Sequence, residues 1–263
     1  MELQLDGKIA AVAAASQGLG FAAAKGLARE GVRVGICSRS QENIEKAARR
    51  LRDESGADIF AQVTDVSTSD GARGFVESVA SNFGGLDILV TNAGGPPPGG
   101  YEAIGEQQID RGYHLTLLST ITMIKAAVPY MQKQKWGRIV NILSITAKQP
   151  ETNLLVSNTM RAALVGYTKS VSQELADQNI LINNVAPGYT KTERLSELAD
   201  SLAKKENKST EQIFAKWEEK IPMGRLGQPD ELGNVVTFLA SGAASYVTGV
   251  TIQVDGGFVQ GLL

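Results

Sequence analysis

The segment Ala13-Ala14-Ala15-Ser16-Gln17-Gly18-Leu19-Gly20 follows an apolar run of strand length and leads straight into an amphipathic stretch. Glycines at positions 18 and 20 let backbone N–H groups come close to a ligand, and a helix starting there adds the positive end of its dipole. Such a turn grips a pyrophosphate; a plain strand-to-helix turn is the bland alternative. A second group closes the next apolar run, Cys37-Ser38-Arg39. In a dinucleotide site an acid at this place bonds a ribose 2′-hydroxyl and repels a 2′-phosphate. None is present, and the Arg39 guanidinium offers phosphate a planar fork. Taken alone, Arg39 would more commonly be a solvated surface charge. Candidate proton carriers are sparse, with one histidine, His114, and one cysteine, Cys37.

These groups need a scaffold that brings loop ends together. Apolar runs of strand length recur at Lys8–Ala15, Val32–Ser38, Asp58–Val63, Leu86–Thr91, Gly137–Leu143, Ile180–Ala186 and Val250–Val254. Between them Gly18–Glu30, Gln41–Arg52, Asp70–Asn82, Glu106–Lys133, Asn153–Ala176 and Pro229–Ala240 read as helices. In Gln41–Arg52, for example, Ile44, Ala47, Ala48 and Leu51 form one stripe with charges opposite. Strands without alternation are buried on both faces, which requires crossover helices on both sides of a parallel sheet. The order predicts one α/β domain over residues 1–263, a doubly wound, seven-stranded parallel sheet whose ligands bind beyond the carboxyl ends of the strands. The Gly/Pro cluster Gly94–Gly100 follows a strand end and reads as an active-site loop. The polar, helical segment Thr192–Ile221 reads as a mobile substrate lid.

Composition narrows the classes. A count of 26 Lys and Arg against 28 Asp and Glu leaves a net charge of −2, without the basic footprint of a nucleic-acid binder. With 43% hydrophobic and 21% charged residues the chain can bury a core and is not disordered. A single cysteine points to a reducing compartment. Met1–Lys8 lacks the pattern of a signal peptide, and no apolar run is long enough to cross a membrane. The expectation is a soluble, cytoplasmic protein.

Further motifs appear in a fixed order: Asp65-Val66 after the third run, Thr91-Asn92-Ala93-Gly94 after the fourth, Pro187-Gly188-Tyr189 with Thr192 after the sixth, then Tyr246-Val247-Thr248-Gly249 and Val254-Asp255-Gly256-Gly257. Together with the glycine turn they resemble the short-chain dehydrogenase/reductase family over essentially the whole chain, and within it the 3-oxoacyl-(acyl-carrier-protein) reductase-like proteins. The resemblance implies a Rossmann fold and a nicotinamide dinucleotide. Ala14, Ser16, Gln17, Gly18, Leu19 and Gly20 would hold the pyrophosphate, and Ser38 and Arg39 the 2′-phosphate. Asp65 and Val66 would flank the adenine, and Asn92, Ala93 and Gly94 would border the groove. Pro187, Gly188, Tyr189 and Thr192 would meet the nicotinamide. NADP(H) is favoured over NAD(H), and no metal is implied. The chain departs from the family pattern at Ala13 and Ala14, where Thr and Gly are usual, and at Thr91, where Asn is usual.

The larger departures are catalytic. The family pattern implies a Ser, a Tyr, a Lys and an Asn that bring hydride and proton to opposite ends of a C=O. Ser144 matches the Ser, but Ser157 stands at the Tyr position, Arg161 at the Lys position and Thr116 at the Asn position. A serine hydroxyl does not ionise near neutral pH, and an arginine does not readily pass a proton. Arg161 can still bond the nicotinamide ribose. The proton source is left unassigned: Lys148, four residues after Ser144, is the first candidate, or else a solvated loop lysine, and Tyr189 is the second candidate. His114, two residues before Thr116, points away from it and reads as structural, and Tyr167 reads as core or interface.

Two functions are carried forward. One is an NADP(H)-dependent oxidoreductase interconverting a carbonyl and an alcohol on a small or acyl substrate. The other is an NADP(H)-binding protein with little or no turnover, a sensor or partner subunit. The resemblance also implies a homotetramer, with Ala126, Ala127, Ala162, Ala163 and Gly166 allowing close helix approach.

Overall fold

In the computed structural model, which describes residues 2–262, the seven apolar runs form a single parallel sheet. The strands are β1 Ile9–Val12, β2 Arg33–Ser38, β3 Ile59–Val63, β4 Ile88–Thr91, β5 Gly137–Ile142, β6 Ile180–Pro187 and β7 Thr251–Val254. Their order is β3-β2-β1-β4-β5-β6-β7, every pair parallel. The order reverses between β1 and β4, which opens the crevice where doubly wound sheets take their ligands.

Helices cover both faces because the strands between them are apolar on both. On one side lie α1 Gly18–Arg29, α2 Gln41–Ser55 and α9 Pro229–Leu239. On the other lie α3 Ser69–Phe83, α5 Ser119–Gln134 and α6 Leu155–Leu175. Local chemistry sets the ends. The Ser40 hydroxyl accepts from Asn43 N at the start of α2, and Gly56 closes it at φ 71. The stripe Ile44, Ala47, Ala48 and Leu51 is buried as the periodicity requires.

Two expectations change in detail. β1 is shorter than Lys8–Ala15, because Ala14 turns the chain at φ 48 even though Ala13 N and Ala15 N still bond Val90 O and Cys37 O. The helix expected over 106–133 is three pieces: α4 Glu106–Gly112, a π turn Tyr113–Leu118, and α5. The wider turn inserts one residue into the helical repeat, as often happens at functional sites.

The segment after β6 forms α7 Glu193–Glu206 and α8 Thr210–Glu218, capped by Thr192 and by a Ser209/Gln212 capping box. Ala199, Ala203, Ile213 and Trp217 on these helices join Ile145, Ile221, Leu226 and Phe258 in a third apolar cluster. Among the described residues no helix is long and apolar enough to cross a membrane. Cys37 lies in the core, where burial pushes its thiol up to about 12.

Candidate active site

The crevice begins at the glycine turn. Ala14 occupies the left-handed region at φ 48, and its carbonyl accepts from Asn92 Nδ2 at 3.2 Å. Gly18 follows at φ 59. A Cβ on Gly20 would lie 2.5 Å from Ala14 O and 2.8 Å from Asn92 Nδ2, so only glycine fits there. The first turn of α1 has no side-chain cap and no acid, which leaves its N–H groups free for an anion. Ser16, Gly18 and Leu19 are partly exposed and Gln17 is exposed. Thr192 folds over this turn, its Cγ2 3.5 Å from where a Gly18 Cβ would be, while its Oγ1 caps α7 by accepting from Leu195 N. The cradle, the bare helix end and the overlying threonine fit a pyrophosphate.

At the far end of the crevice Ser38 donates to Ser40 O, and Arg39 is exposed. Partial burial pushes the Asp65 carboxyl up, but bonds from Ser67 and the charge of Arg39 outweigh it and hold the group below the usual carboxylate range. Val66 is buried beneath it. No acidic side chain stands at Ser38-Arg39. Asn92, Ala93 and Gly94 form the near wall, and Pro187, Gly188 and Tyr189 leave the end of β6.

The catalytic candidates fall into two groups. Ser144 is half-buried just past the end of β5, its Oγ accepting from Thr146 N at 3.2 Å, which leaves the hydroxyl proton available. Ser157 and Arg161 instead form a buried chain. Ser157 Oγ lies 3.0 Å from Thr146 Oγ1 and accepts from Arg161 Nε at 3.2 Å, while Arg161 Nη1 donates to Ile142 O at 3.4 Å. Burial, then the nearby charge of Arg194, pushes the Arg161 guanidinium down to about 10, so it remains charged at neutral pH. Thr116 lies in the π turn, 4% exposed, and its hydroxyl has no partner among the described residues.

Lys148 is half-buried after the short turn Ile145–Ala147, and its backbone N–H donates to Ile145 O. Tyr189 is stacked on Trp217 at 5.2 Å between ring centroids and meets Phe258 edge-on. Burial, then the charge of Glu151, pushes its phenol up to about 12, which weakens it as a proton donor at neutral pH. His114 is on the exposed side of its turn, 3.7 Å from Asp110, while Thr116 is buried. Ala127, read as an interface residue, is instead buried in the core, whereas Ala162, Ala163 and Gly166 are exposed on α6.

Three features were not read from the sequence. Arg194, on α7, lays its guanidinium on the Gly95 peptide, with Nη1 donating to Gly95 O at 3.4 Å. Glu151 is braced by Asn158, whose side chain takes Glu151 N at 3.2 Å and gives to Glu151 O at 3.0 Å. Beneath the site a buried polar ladder crosses four strands. Thr91 Oγ1 donates to Asn141, Asn141 Nδ2 donates to Thr168 and Asn184, Thr168 donates to Asn184, and Asn184 donates to Thr251. Such a satisfied network fixes the strand ends that carry Ser144 and Ile142.

Comparison with known proteins bears on this geometry. The family described as enoyl-(acyl carrier protein) reductase matches residues 13–259. The chain is 34% identical to the 3-oxoacyl-(acyl-carrier-protein) reductase FabG of Aquifex aeolicus, covering 98% of this chain and 99% of the relative. It is 37% identical to dehydrogenase/reductase SDR family member 4 of Oryctolagus cuniculus, over 96% and 94% of the two chains. The structure of L-sorbose reductase from Gluconobacter frateurii, complexed with NADPH and L-sorbose, superposes with a TM-score of 0.95 at 31% identity, each chain covered in full. With the parallel sheet and its crevice, these matches define a Rossmann-type oxidoreductase fold. The chain belongs to the short-chain dehydrogenase/reductase family.

Proposed function

We propose that the protein is an NADP(H)-dependent oxidoreductase that interconverts a carbonyl and an alcohol on a small or acyl substrate. The observation that carries this reading is the crevice: a phosphate cradle at one end of a groove, and at the end of β2 an exposed Arg39 where the strand end Cys37-Ser38-Arg39 carries no acid of its own. The NADPH bound to L-sorbose reductase supports the same cofactor class here. Ala14, Ser16, Gln17, Gly18, Leu19 and Gly20 would hold the pyrophosphate, Ser38 and Arg39 the 2′-phosphate, and Asp65 and Val66 the adenine. Asn92, Ala93, Gly94, Arg161, Pro187, Gly188, Tyr189 and Thr192 would hold the nicotinamide half. When bound, NADPH supplies the two-electron reduction.

Within this chain Ser144 offers its hydroxyl proton to a carbonyl oxygen, while Arg161 keeps a fixed positive charge beside it. Ser157 orients Arg161 and gives up no proton. Thr116 presents a hydroxyl with no partner among the described residues from the π turn. Lys148 is the proton donor in this reading, because its amine lies on the loop that leaves Ser144 and is engaged in no ion pair among the described residues. The helices α7 and α8 act as the substrate lid. The test is NADPH oxidation against a panel of ketones and 3-oxoacyl esters. Turnover on at least one substrate is expected, falling by about 10²–10⁴-fold in Lys148→Ala with NADPH affinity unchanged. Turnover unchanged in that variant removes Lys148 from the mechanism.

The closed bond chain Thr146–Ser157–Arg161 favours a second reading, an NADP(H)-binding protein with little turnover, acting as a sensor or partner subunit. Cofactor binding with no reduction across the panel would select it. Both readings place the protein in the cytoplasm as a homotetramer built through α5 and α6.

A further inference from the structure

We propose that Thr146 is a further residue of the catalytic machinery: with Ser157 it gives the substrate oxygen a second hydroxyl donor beside Ser144. The proposal rests on the carbonyl–alcohol reading above and deepens it. Thr146 sits in the short turn Ile145–Ala147 and is 4% exposed. It touches both halves of the catalytic set. Its backbone N–H donates to Ser144 Oγ at 3.2 Å, and its Oγ1 lies 3.0 Å from Ser157 Oγ. Ser157, in the first turn of α6, is 8% exposed and accepts from Arg161 Nε at 3.2 Å. One residue thus ties the end of β5 to the Ser157–Arg161 pair.

The hydroxyl protons of this group do not all find acceptors. Ser144 Oγ accepts from Thr146 N, and its own proton has no acceptor among the described residues. An arginine only donates, so Arg161 takes up a lone pair of Ser157. The proton between Thr146 and Ser157 comes from one of them, and the other's proton is left without an acceptor among the described residues. The rest of the fold behaves differently. Apart from Thr116, every other buried serine or threonine among the described residues places its proton on a backbone carbonyl or an asparagine oxygen. Two uncommitted protons ordered by one residue suit an acceptor with two lone pairs and no proton of its own, a carbonyl oxygen. The Arg161 cation strengthens the chain, because each bond polarises the next. Negative charge grows on the carbonyl oxygen during reduction, so these bonds tighten in the transition state. The Thr146–Ser157 pair donates a hydrogen bond and keeps its proton; the proton that completes the alcohol comes from Lys148, as in the reading above.

Thr146→Val removes the hydroxyl, keeps the branched shape and leaves the backbone N–H on Ser144; Thr146→Ser puts the hydroxyl back. On ethyl acetoacetate, or the panel ketone that wild type reduces fastest, Thr146→Val is expected to lower kcat by about 10²-fold with KM for NADPH unchanged. Thr146→Ser is expected to recover most of that loss. Ser157→Ala should lose as much, and the double variant no more than the worse single one, because the two hydroxyls act as a unit. Ser157→Ala carries the test if Thr146→Val does not fold. An unchanged kcat overturns the proposal. So does a loss that Thr146→Ser fails to recover, or one that comes with a raised KM for NADPH, since either marks a merely structural role. If wild type reduces nothing, the oxidoreductase reading fails separately, and binding of ethyl acetoacetate to the NADP⁺ complex decides. Affinity lost in Thr146→Val and recovered in Thr146→Ser supports the second donor; unchanged affinity, or no binding by wild type, overturns it.

Discussion

At the residue scale, Ala14 carries a conformation made for glycine. Its φ of 48 puts a Cβ where L-residues pay about 1–2 kcal/mol, and the bond from Asn92 to its carbonyl holds it there. Replacing it with glycine relieves that strain but returns about 0.5–1 kcal/mol of chain entropy to the unfolded state. Ala14→Gly is expected to raise stability by up to about 1 kcal/mol in chemical denaturation; a lowered midpoint at unchanged slope would contradict the strain. The glycine turn places Ala14, and the family resemblance places Ser144, Ser157 and Arg161 at its catalytic positions. Neither reveals that Thr146 and Arg161 close around Ser157, or that Arg194 reaches Gly95. Those contacts depend on how a distant helix lies over the strand ends, and no local pattern encodes that.

At the element scale, strands and most helices are legible because burial on both faces leaves continuous apolar runs and helices leave a repeating stripe. The π turn is not, since one inserted residue barely disturbs the stripe, yet it is what carries Thr116 inward with a hydroxyl unpaired among the described residues. Helix starts also carry specific chemistry. At α9 Glu231 accepts from both Arg225 nitrogens at 2.9 and 2.7 Å and from Gln228 N at 2.7 Å. The Arg225 bonds, then the Gln228 bond, push its carboxyl from 4.5 down to about 2. The folded value is depressed, so the contribution is present above the ordinary carboxylate range and is lost as pH falls toward about 2. Because the pair is exposed to solvent, the contribution is small and salt-sensitive. Comparing acid unfolding of wild type and Glu231→Gln at low salt should show the wild-type advantage at pH 6 shrinking on acidification. An advantage that grows as pH falls would refute the assignment.

At the scale of the whole molecule, α6 exposes a flat stripe at Ala162, Ala163 and Gly166, with open space where a Gly166 Cβ would be. Beside it Ile109 and Tyr113 are more than a third exposed, and with Met160 they line a groove. Such a surface suits a helix from a second copy in an isologous pair. Light scattering at micromolar concentration is expected to report a tetramer, and Gly166→Arg to shift it toward smaller species. A wild-type monomer would defeat the assembly and leave the fold untouched.

The claim that joins these scales is that the crevice holds NADP(H), with Arg39 taking the 2′-phosphate in place of an acid. Fluorescence titration of NADPH and NADH into wild type and Arg39→Asp tests it directly. The account predicts tighter NADPH binding by wild type, by about tenfold or more for a charge-assisted contact, and a reversed preference in Arg39→Asp. Equal affinities in wild type, or a preference for NADH that Arg39→Asp leaves unchanged, would contradict it.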